Sequence, residues 1–217
     1  ALKEINLPKA TTIGNNFLST NTLITELDLP KVEIIKRSFL NDNVELKKVN
    51  LPNVQEIRDN FLIDNEKLEK LDLPNLKIVG INFLYSNTSL TKINIPNIEQ
   101  VGDYFLYYNE ALKEINLPKA KKIENYFLYN NQCLKEIFLP NIEEIGDFFL
   151  DYNEELEEIN MPKLITIGAS FLSYNRRLKK INLPNVKQID WHFLCHNCML
   201  EEINLPNVEE IGPGFLK

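Results

Sequence analysis

The densest concentration of reactive side chains is the run Trp191-His192-Phe193-Leu194-Cys195-His196-Asn197-Cys198. It holds both histidines and two of the three cysteines. Two thiols with two residues between them have the spacing of a metal-binding or redox pair, which makes Cys195, Cys198, His192 and His196 the candidate ligands. A second ligand cluster is absent, and one such pair is a weak signal, so no cofactor is expected. Cys133 stands far from the pair in sequence, and three cysteines do not make a disulfide framework. Other chemistry has less to recommend it. There is no glycine-rich phosphate loop, no nucleophile elbow and no HExxH. Carboxylates are plentiful but repetitive, and no two stand out as an acid and base pair. The expectation is a chain that is not an enzyme.

The elements that would position these residues follow one rhythm. The sequence repeats every 22 residues, marked by Pro8, Pro30, Pro52, Pro74 and onward to Pro206. A fixed short period is the signature of a solenoid, in which each unit buries against the next a face it cannot bury alone. Numbering the unit from Ala1, position 2 is Leu in nearly every repeat, and positions 5 and 7 are aliphatic with polar residues at 4 and 6. That alternation predicts a strand with one face inward, ended by the proline at position 8. Apolar residues at 10 and 13, as in Val54 and Ile57, predict a second short extended stretch. Position 14 is often Gly, a turn signal. A Phe-Leu pair recurs at 17 and 18 from Phe17-Leu18 to Phe215-Leu216, predicting a phenylalanine spine. Ile13 and Phe17 lie four apart, which predicts one short helical turn. Position 21 is Asn from Asn21 to Asn197, and a stacked row of amides satisfying buried backbone groups is its favoured reading. Asn87-Thr88-Ser89 is formally a glycosylation sequon, but an inward Asn87 would be a poor acceptor. Phe193, Leu194 and Asn197 belong to these rows, so the cysteines and histidines around them fill variable positions.

The unit LxxIxLPxVxxIGxxFLxxN resembles the BspA-like leucine-rich repeats, on Leu2, Ile5, Leu7, Pro8, Ile13, Phe17 and Asn21 and their equivalents along the whole chain. It departs from that pattern in having Phe-Leu where Ala-Phe is usual. The resemblance implies a leucine-rich-repeat solenoid, β-rich and α/β by convention, with a parallel concave sheet. It implies a secreted or cell-surface protein that binds proteins or mediates adhesion. A cytosolic or host-delivered protein remains an alternative. So does a structural, self-associating solenoid without a specific ligand. Residues 1–217 are expected to form a single solenoid of about ten repeats, the first and last atypical or truncated, and the chain reads either as a processed chain or as an excerpt of a longer one, with end-to-end or further-repeat stacking as one expectation.

With the scaffold rows assigned, the variable positions are where a protein partner would bind. Position 4, on the concave strand, carries a basic block, Lys48, Lys70 and Lys92, beside an acidic one, Glu114, Glu136 and Glu158. Such blocks fit a partner of matching polarity, or are simply a solvated face. Position 6 is Asn or Asp, as in Asn94 and Asn116, except at Phe138, an aromatic in a polar exposed row and hence a candidate hot spot. All eight tyrosines, Tyr85, Tyr104, Tyr107, Tyr108, Tyr126, Tyr129, Tyr152 and Tyr174, fall at positions 16, 19 and 20, where Phe148 joins them. Rows on a solenoid are neighbours in space, so these form one patch away from the strands, either an interface or a shield for the turn.

The composition is that of an ordinary soluble chain, with 44% hydrophobic and 25% charged residues. A formal charge of -7 disfavours nucleic acid and anionic membranes as partners. No apolar run is long enough for a transmembrane helix, so no membrane insertion is expected.

Overall fold

The computed structural model describes residues 2–217. The chain winds as a parallel β-solenoid, each 22-residue period making one coil with three walls. The first wall is built from three-residue strands at positions 4–6, from Glu26–Asp28 to Glu202–Asn204. Each pairs in parallel with the same positions of a neighbouring coil, so that Glu114 meets Glu136, Ile115 meets Ile137 and Asn116 meets Phe138. The middle residue points inward and its neighbours outward, as the period-2 pattern requires. The second wall uses two-residue strands at positions 12–13. Eight of them, from Thr12–Ile13 to Thr166–Ile167, form one continuous sheet.

The third wall, at positions 15–20, is not the helical turn that the spacing of Ile13 and Phe17 predicts; no helix occurs among the described residues. Positions 16, 18 and 20 instead adopt left-handed backbone in coil after coil, as at Ser38 (φ 59), Leu40 (φ 53) and Asp42 (φ 58). A helical turn would keep its hydrogen bonds within the coil. Here they run between coils: Asn16 N–H donates to Arg37 C=O at 2.8 Å, Leu40 N–H to Phe17 C=O at 2.9 Å, and Thr20 N–H to Asn41 C=O at 2.8 Å. The curled backbone lets two successive side chains face the core, so Phe39 and Leu40 are both fully buried, which a straight strand forbids. A left-handed residue other than glycine costs about 1–2 kcal/mol. Burial of each Phe contributes about 1.5–3 kcal/mol against it. The phenylalanines stack from Phe17 to Phe215 with ring centroids 5.2–5.6 Å apart.

Asparagines close the coils. The Asn109 Oδ1 accepts the Asn87 N–H at 3.2 Å, and its Nδ2 donates to Leu84 C=O at 2.8 Å and to Tyr107 C=O at 3.2 Å. The same pattern recurs at Asn131, Asn153 and Asn175. Asn87, in the sequon, is wholly buried in this ladder. A second ladder, not anticipated from the sequence, runs through position 15. There Asp59, Asp103, Asn125 and Asp147 each accept the position-15 N–H of the next coil. The coils approach so closely beside it that a Cβ on Gly102 would lie 2.6 Å from the Gly80 carbonyl oxygen.

Candidate binding surfaces

Phe138 stands 56% exposed on the first wall. Along this row amide and carboxylate side chains bond from coil to coil, as Asn94 Nδ2 to Asp72 Oδ1 at 2.8 Å and Asn204 Nδ2 to Asn182 Oδ1 at 2.7 Å. Phe138 offers no such bond to its neighbour Asn116 and so interrupts the row. It lies in a groove of about 800 Å³ that brings together Glu114, Asn116, Glu136 and Glu158 from the sequence reading, with Glu155, Glu157, Lys135 and Arg177. Two of these acids are matched within the wall: Arg177 lies 2.6 Å from Glu155 and Lys179 lies 2.8 Å from Glu157. The hydrogen bond and charge of Lys179 hold Glu157 below the usual carboxylate range. Glu114 and Glu136 are directly opposed across the strands, and neither has an ion pair among the described residues. Carboxylates in excess over Lys135 and Arg177 thus surround an exposed aromatic ring. Lys48, Lys70, Lys92 and Asn94 lie outside this groove on earlier coils, with Lys70 and Lys92 in direct register.

The aromatic residues form one connected face on the third wall. Tyr104, Tyr126 and Phe148 stack along position 16 at 4.6 and 4.5 Å. Tyr85, Tyr107 and Tyr129 stack along position 19 at 4.9 and 4.8 Å. Tyr152, Tyr174 and His196 stack along position 20 at 4.3 Å each. Tyr108 sits edge-on to Tyr107 at 4.6 Å, and Tyr129 meets Tyr152 at 5.2 Å, which joins the rows. Desolvation, reinforced by neighbouring phenols, pushes the Tyr129 hydroxyl up to about 12 and raises Tyr107 as well. Most of these bulky residues at positions 16 and 20 occupy left-handed backbone, including Tyr126 (φ 57) and Tyr152 (φ 61). Ring stacking offsets that cost by about 0.5–1.5 kcal/mol per pair.

One member of this face has no counterpart in the sequence reading. Asp151 follows Tyr85, Tyr107 and Tyr129 along position 19, and it is 3% exposed. Its Oδ1 accepts the Ser173 N–H at 2.8 Å. Burial pushes its carboxyl up to about 8, the Ser173 hydrogen bond working in the opposite direction. The signal was present in the change from a run of tyrosines to Asp151, Ser173 and Cys195 along one row.

The cysteine and histidine turn is split by the wall. Cys195 is buried, with its Sγ 2.9 Å from Gly214 C=O and 3.7 Å from His192 Nδ1. Cys198 is exposed, 3.8 Å from Arg176 C=O, and His192 and His196 are exposed too. No group of three or more His, Cys, Asp or Glu side chains is placed to hold a metal among the described residues. Cys133 is free and exposed. No helix of the described residues is long and apolar enough to cross a membrane.

The sequence matches a model of the BspA-type leucine-rich repeat region in six copies, over residues 1–113 and 99–217. No curated protein matches significantly. Among solved structures, a leucine-rich repeat protein from Bacteroides ovatus superposes with a TM-score of 0.63 at 18% identity, over 94% of this chain and 66% of that one. The chain therefore spans just under two thirds of that protein. A leucine-rich cell surface protein from Faecalibacterium prausnitzii superposes with a TM-score of 0.53 at 14% identity, over 90% of this chain and 76% of that one.

Proposed function

The chain belongs to the BspA-type leucine-rich repeat family, and from that premise we propose that it is a non-catalytic recognition module, binding a protein partner through the first wall. The observation that carries this reading is Phe138, more than half exposed in a groove edged by Glu114, Glu136 and Glu158. An aromatic anchor within a charged rim is the anatomy of an interface hot spot. The polarity of the rim selects a partner segment that pairs an apolar or aromatic side chain with lysine or arginine. The fold family, together with a solved neighbour described as a cell surface protein, supports a surface or secreted location.

The test is selection of random peptides displayed on phage, with Phe138→Asn as the counter-selected variant. Asparagine occupies the same position in seven other coils, including Asn116 and Asn160, so the variant keeps the fold. Enrichment of basic and aromatic peptides that bind the native chain and release from the variant is the expected result. Peptides that bind both proteins equally, or no enrichment at all, would reject this surface and leave the reading of a structural, self-associating solenoid.

A further inference from the structure

Row 19 lies between rows 16 and 20 on the third wall, since Tyr107 touches both Tyr104 and Tyr108. From Tyr85 to Tyr129 that middle row is filled with phenol rings. From Asp151 onward it is filled with Asp151, Ser173 and Cys195, which are smaller, while row 20 stays high with Tyr152 and Tyr174 and row 16 stands high at Phe148 before falling to Ser170. The step leaves a cleft of about 540 Å³, closed at one end by Tyr129 and floored by Asp151. The floor is tied down. Asp151 accepts the Ser173 N–H, the Ser173 hydroxyl donates to His192 C=O at 3.0 Å, and the Cys195 thiol donates to Gly214 C=O. One carboxylate oxygen of Asp151 is left without a protein donor, and no cation lowers its proton affinity. A buried acid without a counter-ion, walled by electron-rich rings, is complementary to a cation carried on an apolar stem.

We propose that this cleft binds a primary alkylammonium group, which donates a hydrogen bond to the open oxygen of Asp151 and lays its stem between Phe148 and the Tyr152–Tyr174 stack. A primary ammonium fits better than a quaternary one because the acid needs an N–H donor. The other titratable groups lining the cleft are Tyr107, Tyr126, Tyr129, Tyr152 and Tyr174 beside the acid, and His192, Cys195, His196 and Lys217 toward the far end. Asp147 adds negative charge on the coil of Asp151, next to Tyr126. Binding requires the ionised acid, so it releases a proton near neutral pH, and affinity climbs as pH rises toward 8. With the carboxyl at about 8, the ionised fraction grows about fiftyfold between pH 6 and pH 8.

Calorimetric titration with n-butylammonium tests the proposal, with 1-butanol and tetramethylammonium as controls and a blocked lysine amide as a second arm. Saturable binding of n-butylammonium at pH 8.5, at least tenfold tighter than 1-butanol or tetramethylammonium and several tens of times weaker at pH 6, is expected. Comparable binding of the lysine amide assigns the ammonium to a polypeptide, and its exclusion assigns it to a free amine. Asp151→Asn keeps the acceptor for the Ser173 N–H, as Asn41 does for Ile63 on the same row. It should fold and lose at least tenfold in affinity. Tyr152→Asn, which places at that row the residue found at Asn130, should lose severalfold. Absence of saturable binding, equal binding of 1-butanol, or undiminished binding by folded Asp151→Asn overturns the proposal. None of these outcomes touches Phe138, so the first-wall reading stands or falls separately.

Discussion

Replacing Asn109 with alanine removes three hydrogen bonds from the buried corner of one coil. Their loss is not equal. The Tyr107 carbonyl still accepts the Ser86 N–H at 2.8 Å, so it stays satisfied. The Asn87 N–H and the Leu84 C=O have no other partner, and Asn87 is fully buried. Leaving a buried polar group unpaired costs about 1–3 kcal/mol, so Asn109→Ala should cost about 2–6 kcal/mol. Asn43 supplies the contrast. It donates to Leu18 C=O and Asn41 C=O, but its own Oδ1 has no partner. The Asn41 carbonyl keeps the Thr20 N–H, so only one group is orphaned and one unpaired oxygen is removed. Asn43→Ala should therefore cost no more than about 1–2 kcal/mol. Urea unfolding followed by far-ultraviolet circular dichroism measures both, with the slope m checked because a solenoid can melt locally and lower it. Asn109→Ala within 1 kcal/mol of the native chain, or Asn43→Ala as damaging as Asn109→Ala, would refute the ladder argument.

Gly102→Ala places a methyl 2.6 Å from backbone that cannot swing away, whereas Gly14 has nothing within 4 Å. The first should cost about 1–3 kcal/mol and the second less than about 0.5 kcal/mol, read as thermal midpoints; equal shifts would deny that coil contact selects the glycine. Thiol labelling of the native chain should show Cys133 and Cys198 reacting fast and Cys195 slowly, resolved by mass spectrometry of the products; fast reaction at Cys195 would place that thiol outside the floor of the cleft. Folded Asp151 holds its proton to about 8, against 3.8 for an ordinary aspartate. Between those values only the folded state keeps the proton, so this group makes stability fall as pH rises through that window. Asp151→Asn should flatten that slope and be the more stable protein at pH 8, with the two alike near pH 4; parallel urea midpoints across the range would show that the acid is not buried.

The rows that build the first two walls could be read from the chain because each rests on one simple rule, alternation of inward and outward side chains, with Pro8 and its equivalents ending the strand. The Asn21 row was equally readable, since a polar residue repeated beside Phe and Leu has few ways to be buried. The third wall was not. A four-residue spacing such as Ile13 to Phe17 suits a helical turn and a curled strand alike, and Leu18, whose type disfavours left-handed backbone, hides the conformation that Asn16 and Asp42 suggest. The aromatic face was visible as clustered tyrosines. The cleft within it depends on a change of side-chain volume from Tyr129 to Asp151, and only coordinates turn that change into a space. Cys195 and Cys198 looked like partners because spacing ignores which side of the wall each thiol occupies.

Because the left-handed third wall bonds each coil to its neighbours chiefly through backbone groups that every coil repeats, its closure depends little on which coil sits next to which. The surfaces it carries are not. Tyr129, Asp151 and Tyr174 come from three successive coils. Duplicating, deleting or transposing a single 22-residue unit would leave the stack closed and still abolish the cleft. Ligand choice on this chain is thus a matter of syntax: the words are interchangeable structural units, and meaning resides in their order. New specificities become reachable by shuffling whole units, without any substitution in the core.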